Sequence, residues 1–345
     1  MWGSSRGGRQ TLCVLGAQLL LLGVCLWPLS QAAAADRFGP FGPEAPRMRE
    51  QLWILPSGDP NRDLRATVFR PARSADSPQR HPLVVINHGT SELTRLSVSM
   101  PVFYWLSRWF VDRGYVVVLP QRRGHGATGG ELSEDVGTCA HPDHYRSGEI
   151  AADDIEAAVA YMNTQPFVAS NSTVVVGVST GGWASLALAS RNPANVRAVV
   201  NFAGGRGGHA YGESGRVCGE RELVDAAGHY ASSAKIPTIW FYARNDSYFG
   251  PKLARKLAAV WKQAGAPAAL HVVPAYGSEG HNVASDQAGW DFWGNALDDF
   301  LKSSITVAAA KPALELEKVE AVRAGASSSG AGQGTYIEAA AQADR

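Results

Sequence analysis

The sequence runs Thr173-Val-Val-Val-Gly-Val-Ser-Thr-Gly-Gly-Trp-Ala-Ser-Leu-Ala-Leu-Ala-Ser-Arg191 through the middle of the chain. Its first four residues are β-branched, which is typical of a strand buried on both faces, and its second half is rich in the helix formers Ala and Leu. Between them lies Gly177-Val-Ser179-Thr-Gly181. Gly-x-Ser-x-Gly at a strand-to-helix turn indicates a nucleophile elbow, in which the serine hydroxyl is exposed at the carboxyl edge of a sheet. The alternative is an ordinary turn whose serine caps the helix.

Strand and helix patterns alternate on both sides of this stretch. Apolar runs and turn residues predict strands at 51–55, 64–70, 82–87, 115–119, 173–176, 196–202, 237–242 and 269–273, and helices at 100–112, 149–163, 251–264 and 289–301. This order predicts the α/β class, with a mostly parallel sheet of about eight strands covered by helices on both faces. The active site of such a sheet lies at the carboxyl ends of its strands.

The two ends of the chain differ from its middle in composition. Residues 1–35 are predicted to be a secretory signal peptide, because Arg6 and Arg9 precede a long apolar run and Ala33-Ala-Ala35 offers a cleavage site. The alternative is an uncleaved membrane anchor. We expect residues 36–302 to form the α/β domain, with a lid insertion at about 203–235. Residues 303–345 have few large apolar residues, which predicts a disordered tail.

Cleavage of the signal would leave two cysteines, Cys139 and Cys218. A pair of cysteines in an exported chain predicts one disulfide, and the alternative is two free buried thiols. Cys139 also begins a run that includes His141, Asp143 and His144, residue types that can bind zinc. The spacing is loose and no second cluster is nearby in the sequence. We therefore expect no metal site and no cofactor.

A serine nucleophile needs a base in hydrogen-bond reach, and the base needs an acid to orient it. His281 follows the last predicted strand in a glycine-rich loop, and Asp246 directly follows the strand at 237–242. The order Ser179, Asp246, His281 is that of the α/β-hydrolase fold. The backbone amides of Thr180 and Thr90 are the predicted oxyanion donors, since Thr180 follows the serine and Thr90 follows the strand at 82–87.

These motifs recur in order along residues 65–301: His88-Gly89, Arg123-Gly-His-Gly126 with Gly129-Gly130, Gly177-Val-Ser-Thr-Gly181, Asn245-Asp246 and Gly280-His281. The chain resembles the dienelactone-hydrolase-like serine hydrolases of the α/β-hydrolase superfamily. The resemblance implies the α/β-hydrolase fold and acyl transfer on Ser179. The sequence departs from the namesake enzymes in two ways. It has Ser179 where those enzymes carry cysteine, and it has an export signal. Both departures favour a general carboxylesterase.

The leading hypothesis is therefore a secreted or periplasmic hydrolase of small-molecule esters. A net charge of +1 indicates neither a nucleic-acid partner nor a polybasic membrane patch, and we expect no stable membrane insertion after signal cleavage. One alternative is a peptidase resembling the prolyl-oligopeptidase group, which usually carries a large propeller domain before the sheet, where this chain has about thirty residues. The other is a catalytically inactive binding protein.

Overall fold

The computed structural model describes residues 37–72, 79–90, 95–98, 100 and 103–304. Within these ranges the centre of the protein is a sheet of nine strands in the order β1-β2-β3-β5-β4-β6-β7-β8-β9. The strands are β1 (Gly39–Phe41), β2 (Gln51–Leu55), β3 (Leu64–Phe69), β4 (Leu83–Asn87), β5 (Val116–Gln121), β6 (Thr173–Val178), β7 (Val196–Phe202), β8 (Thr238–Ala243) and β9 (Ala268–Val273). The pairs among β1, β2, β3 and β5 are antiparallel, and all others are parallel.

Helices cover both faces of the sheet, which is why the central strands are runs of apolar residues without alternation. The α-helices of the described residues are α1 (Tyr104–Val111), α2 (His144–Met162), α3 (Thr180–Arg191), α4 (Glu220–Ala231), α5 (Pro251–Gln263) and α6 (290–304). Residues of α2, α3, α4 and α5 pack in one apolar cluster, and residues of α1 and α6 pack in a second cluster. No helix among the described residues combines the length and apolar character needed to cross a membrane.

The parallel strands end at one level, and this brings the loops that follow them to one edge. Asn87 of β4 pairs in register with Gly177 of β6, and Val178 of β6 pairs with Phe202 of β7. At the far side, Ala243 of β8 pairs with Val273 of β9. The loops that begin at residues 88, 179, 203, 244 and 274 therefore share the carboxyl edge of the sheet.

The predicted fold class is confirmed, with three differences in its elements. The sheet has nine strands where about eight were expected, because 39–41 forms a short strand on β2. Helix α2 begins at His144 and not at 149, since Asp143 caps it by accepting a hydrogen bond from the amide of Arg146. Helix α1 begins at Tyr104, and residues 101 and 102 of its predicted first turn lie outside the described residues.

Part of the predicted lid is a regular part of the α/β layer. Helix α4 connects the parallel neighbours β7 and β8, and Leu223, Ala227 and Tyr230 on it are fully buried. The segment that runs over the carboxyl edge is thus 203–219, which we call the β7–α4 loop. The lid and the domain boundaries stay predictions. The predicted signal peptide and all of the predicted tail except 303 and 304 lie outside the described residues.

Candidate active site

Ser179 occupies a sharp turn between β6 and α3. Its φ of 58° and ψ of −124° lie in a region that non-glycine residues rarely adopt. Its side chain makes no capping hydrogen bond to the helix, which removes the alternative of an N-capping serine. The turn needs glycine on each side: a Cβ on Gly177 would lie 2.1 Å from the carbonyl oxygen of Gly181, and a Cβ on Gly181 would lie 2.2 Å from that of Asn87.

His281 and Asp246 are brought together by the loops that follow β9 and β8. Nδ1 of His281 lies 3.1 Å from Oδ2 of Asp246, and the Asp246 side chain is fully buried. The other carboxylate oxygen, Oδ1, accepts hydrogen bonds from the amides of Tyr248 at 2.8 Å and Phe249 at 2.9 Å. This pairing makes the carboxylate an acceptor for the Nδ1 proton and leaves Nε2 as the nitrogen that can take up a proton.

A short series of contacts joins this pair to the Ser179 turn. The carbonyl oxygen of Ser179 accepts a hydrogen bond from the amide of Gly205 at 3.2 Å. The backbone of Gly205 lies against the ring of Phe249, where a Cβ on Gly205 would come within 2.7 Å of the ring. The centroid of that ring is 5.6 Å from the centroid of the His281 imidazole. Gly89, in the loop after β4, also lies against the serine. A Cβ on Gly89 would lie 2.9 Å from Cβ of Ser179.

Thr90 and Thr180, the predicted oxyanion residues, are also neighbours. Oγ1 of Thr180 donates to Oγ1 of Thr90 at 2.8 Å, and Thr90 donates to Oε1 of Glu134 at 2.9 Å. Glu134 is buried and paired with the buried Arg122, whose Nε lies 2.8 Å from Oε2. Burial acts to raise the pKa of Glu134, but the charge of Arg122 and its hydrogen bonds lower that pKa well below its ordinary value. No pattern in the sequence indicates that these two charges are buried in the loop after β5.

Two histidines lie beneath the loop that carries Thr90. Nε2 of His88 accepts a hydrogen bond from the amide of Arg122 at 3.1 Å, and its Nδ1 donates to the carbonyl oxygen of Gly89 at 2.8 Å. Nε2 of His125 lies 2.9 Å from Oγ1 of Thr90. Burial and the charge of Arg122 lower the pKa of His88 well below its usual value and that of His125 to about 4. Both imidazoles are therefore neutral at pH 7, and the hydrogen bonds of His88 to the Arg122 and Gly89 backbone give it a structural role.

A second cluster, which the sequence did not indicate, adjoins His281. The carboxylate of Glu279 accepts hydrogen bonds from the amide of His281 at 2.9 Å, from the amide of Ser247 at 3.1 Å, and from the Ser247 hydroxyl. His209 of the β7–α4 loop donates from Nε2 to the Ser247 hydroxyl oxygen at 2.7 Å. Tyr248 stacks on both His209 and His281. The loop that carries Asp246, the loop that carries His281 and the β7–α4 loop are thus joined by hydrogen bonds and ring contacts.

The predicted disulfide is present. Cys139 and Cys218 are joined, and the amide of Cys218 donates to the carbonyl oxygen of Gly207 at 2.8 Å. Nε2 of His144 donates to the carbonyl oxygen of Cys218 at 2.7 Å, so this histidine fixes the same loop. Among the described residues, no group of three or more His, Cys, Asp or Glu side chains is arranged to hold a metal ion.

Comparison with known proteins gives one curated relative and many structural ones. The relative, "Probable dipeptidyl-peptidase 5" of Aspergillus clavatus, is 27% identical over 189 residues, which are 53% of this chain and 21% of that protein. The chain thus matches about a fifth of its curated relative.

Solved structures with similar folds include both esterases and peptidases. Acetyl xylan esterase from Paenibacillus sp. R4 has a TM-score of 0.53 at 13% identity, with 77% of this chain and 88% of that chain covered. An esterase of Pyrococcus furiosus has a TM-score of 0.52 at 16% identity, with coverages of 77% and 96%. Dipeptidyl peptidase 4 of Porphyromonas gingivalis has a TM-score of 0.53 at 16% identity, with coverages of 74% and 35%. At such identities the similarity shows the α/β-hydrolase fold alone.

The family model named Dienelactone hydrolase family matches residues 66–315, which is most of the chain and includes every predicted site residue. The expected resemblance is thereby confirmed, and the chain belongs to the dienelactone hydrolase family, whose members are hydrolases.

Proposed function

We propose that the protein is an exported serine hydrolase that cleaves small-molecule carboxylic esters through an acyl-enzyme. Oγ of Ser179 attacks the ester carbonyl carbon while Nε2 of His281 takes the hydroxyl proton. Asp246 keeps the imidazole oriented and stabilises its charged form. The amides of Thr90 and Thr180 donate to the oxyanion of the tetrahedral intermediate.

The second half of the cycle uses the same groups. His281 gives its proton to the alcohol oxygen as the bond to the acyl carbon breaks, and the acyl group remains on Ser179. Water then attacks the acyl carbon and gives a proton to Nε2 of His281. The carboxylic acid leaves as the proton returns to Oγ of Ser179.

The observation that carries this proposal is the hydrogen bond between His281 and the buried Asp246, at 3.1 Å. A carboxylate removed from water and supplied with two amide donors remains a fixed acceptor for Nδ1–H. The Ser179 turn supports the same function. Its backbone conformation is rare, and the side chain makes no capping hydrogen bond that would give this conformation a purely structural reason.

A peptidase is the second candidate, and the similarity to a dipeptidyl-peptidase favours it. The same groups would cleave an amide, with His281 protonating an amine instead of an alcohol. Short acyl esters tested beside aminoacyl-proline amides separate the two. Turnover of the esters without cleavage of the amides supports the proposal, and cleavage of the amides at a comparable kcat/KM favours the peptidase.

The decisive experiment is labelling with a fluorophosphonate, which reacts with activated serines. The folded protein should be labelled at Ser179, and S179A should neither be labelled nor hydrolyse esters. The control is S190A, which changes a serine at the far end of α3 and should be labelled like the wild type. Absence of labelling in the folded wild-type protein would show that the proposal is wrong.

Export is the remaining part of the proposal. The Cys139–Cys218 disulfide supports it, because disulfides persist in oxidising compartments. Expression of the full chain with a C-terminal tag tests it. A mature protein that begins at Asp36 outside the cytoplasm supports export, and an uncleaved chain in the cytoplasm contradicts it.

A further inference from the structure

The two residues whose amides are the proposed oxyanion donors are also joined through their side chains. Thr180 is the first residue of α3, and Thr90 lies in the loop after β4. The two residues are 90 positions apart in the sequence. Oγ1 of Thr180 donates a hydrogen bond to Oγ1 of Thr90 at 2.8 Å. We call this contact the Thr90–Thr180 hydroxyl bridge.

The direction of the hydroxyl bridge is fixed by the group at its end. Each hydroxyl has one proton to donate. Thr90 gives its proton to Oε1 of Glu134 at 2.9 Å, and an ionised carboxylate can only accept. With that proton given to Glu134, Oγ1 of Thr90 accepts from Thr180, and Nε2 of His125, 2.9 Å from the same oxygen, does not receive it. Glu134 remains ionised because Arg122 is beside it.

Arg122 holds both sides of the hydroxyl bridge as well as Glu134. Its Nη1 donates at 2.6 Å to the carbonyl oxygen of His88, two residues before Thr90, and its Nη2 lies 3.4 Å from Oγ1 of Thr180. The side chains of Arg122 and Glu134 are 0% and 3% exposed, so this ion pair is shielded from water. The loop after β4 and the start of α3 are thus attached to one buried pair of charges.

We propose that the hydroxyl bridge, held by Arg122 and Glu134, sets the distance between the two oxyanion amides. The Thr90 and Thr180 side chains and Glu134 are then positioning residues, which act on the transition state through the backbone. This inference rests on the proposed function. It goes beyond that function by assigning the buried network a role in the rate of the reaction.

The expected effect lies in the chemical step and not in substrate binding. Outright loss of an oxyanion donor costs about 10²- to 10³-fold in kcat, and a displaced donor costs less. The ester carbonyl before attack carries little charge, so KM depends little on the position of the amides. T180V keeps the shape of the side chain and removes its hydroxyl. It should lower kcat about 10- to 100-fold and leave KM within about twofold.

Affinity for a trifluoromethyl ketone inhibitor is a measurement that would not change if the hydroxyl bridge had only a structural role. The Ser179 oxygen adds to the carbonyl carbon of the ketone, the carbonyl oxygen becomes the oxyanion, and the serine proton passes to His281. The affinity of T180V for this ketone should fall by the same factor as kcat. T180S restores the hydroxyl and should recover most of both losses, whereas T164V, at an exposed threonine far from the site, should lose neither.

The outcomes separate this inference from the proposed function. If the wild-type protein is labelled by fluorophosphonate and T180V keeps its kcat and its ketone affinity, the hydroxyl bridge does not position the oxyanion hole. If T180V loses only thermal stability, the network is structural and the inference is again wrong. Should T180V fail to fold, T180A replaces it with the same expectations. An unlabelled wild-type protein overturns both proposals.

Discussion

The phenol ring of Tyr248 stacks on the imidazole of His281, with 4.4 Å between centroids and 30° between the ring planes. Tyr248 also stacks on His209, at 3.7 Å and 9°. The amide of the same tyrosine donates to Asp246, so one residue contacts both the proposed base and the proposed acid. An aromatic face against an imidazole also stabilises its protonated form.

Replacing this ring should therefore slow the reaction. Aromatic pairs contribute about 0.5–1.5 kcal/mol beyond their buried area, so Y248L should lower kcat/KM about 2- to 10-fold. Y248F keeps the ring and should retain most of the activity. Steady-state ester kinetics on the two variants check this. Equal kcat/KM values of Y248L and Y248F would show that stacking of the ring on His281 does not contribute to catalysis.

Glu279 is expected to hold together the loops of the proposed acid, Asp246, and the proposed base, His281. Hydrogen bonds from Ser247 and from the amide of His281 outweigh the effect of burial and lower the pKa of this carboxylate below its ordinary value. E279Q keeps the size of the side chain but puts a donor where an acceptor is needed, so kcat should fall about tenfold with little change in KM. E213Q, at an exposed glutamate paired with Arg216, is the matched control. The expectation fails if both variants turn over esters at the wild-type rate.

The sequence was sufficient to place Ser179, Asp246 and His281 in loops at one edge of the sheet, because parallel strands all end at that edge. Each residue follows a strand that is recognisable as an apolar run. The structure brings Asp246 and His281 into a hydrogen bond. The short strand 39–41 escaped prediction because Gly39 and Pro40 are unfavourable in strands, and its conformation comes from pairing with β2.

Long-range contacts account for what the sequence could not predict. Gly148 weakens the helical pattern at the start of α2, but a Cβ at that position would lie 2.2 Å from the hydroxyl oxygen of Tyr230. Close packing against α4 therefore requires this glycine inside a helix. In the same way, Arg122 and Glu134 are typical surface residue types, and only the fold of the loop after β5 buries them together.

Gly181 and Gly228 both lie in helices, but substitution by alanine should change the free energy of unfolding in opposite directions at the two positions. The Cβ of G181A would lie 2.2 Å from the carbonyl oxygen of Asn87, so the backbone of β4 or α3 must shift. We expect a loss of several kcal/mol, of about the size seen for overpacked cores or more. G228A meets nothing within 4 Å and should gain up to about 1 kcal/mol from the higher helix propensity of alanine. Urea unfolding measures both changes, and equal stability of the two variants would contradict the packing at the Ser179 turn.

The Arg122–Glu134 ion pair predicts a pH-dependent difference in stability. E134Q leaves a buried guanidinium without its charged partner, which should cost about 3–5 kcal/mol in the free energy of unfolding at pH 7. The folded-state pKa of Glu134 lies well below its value of 4.5 in the unfolded chain. The stabilisation is therefore complete above pH 4.5 and is lost as the pH falls from there toward the folded-state pKa.

The difference in free energy of unfolding between the wild type and E134Q should thus be smaller at pH 3.5 than at pH 7, by about 1 kcal/mol. Urea unfolding of the two proteins at both pH values measures this. E213Q provides the comparison for an exposed carboxylate. A difference between wild type and E134Q that does not change with pH would show that folding does not lower the pKa of Glu134.

The Cys139–Cys218 disulfide should stabilise the fold and, with it, the β7–α4 loop. The cysteines are 79 residues apart, and closing a loop of that length removes chain entropy from the unfolded state worth at most about 4.5 kcal/mol. The double variant C139S/C218S should therefore unfold at a lower urea concentration than the oxidised wild type, and reductant should shift only the wild type. Ester hydrolysis by the double variant should also decline at a lower temperature, because Cys218 pairs with Gly207 in the loop that carries His209. A wild-type protein whose urea midpoint does not respond to reductant would contradict this prediction.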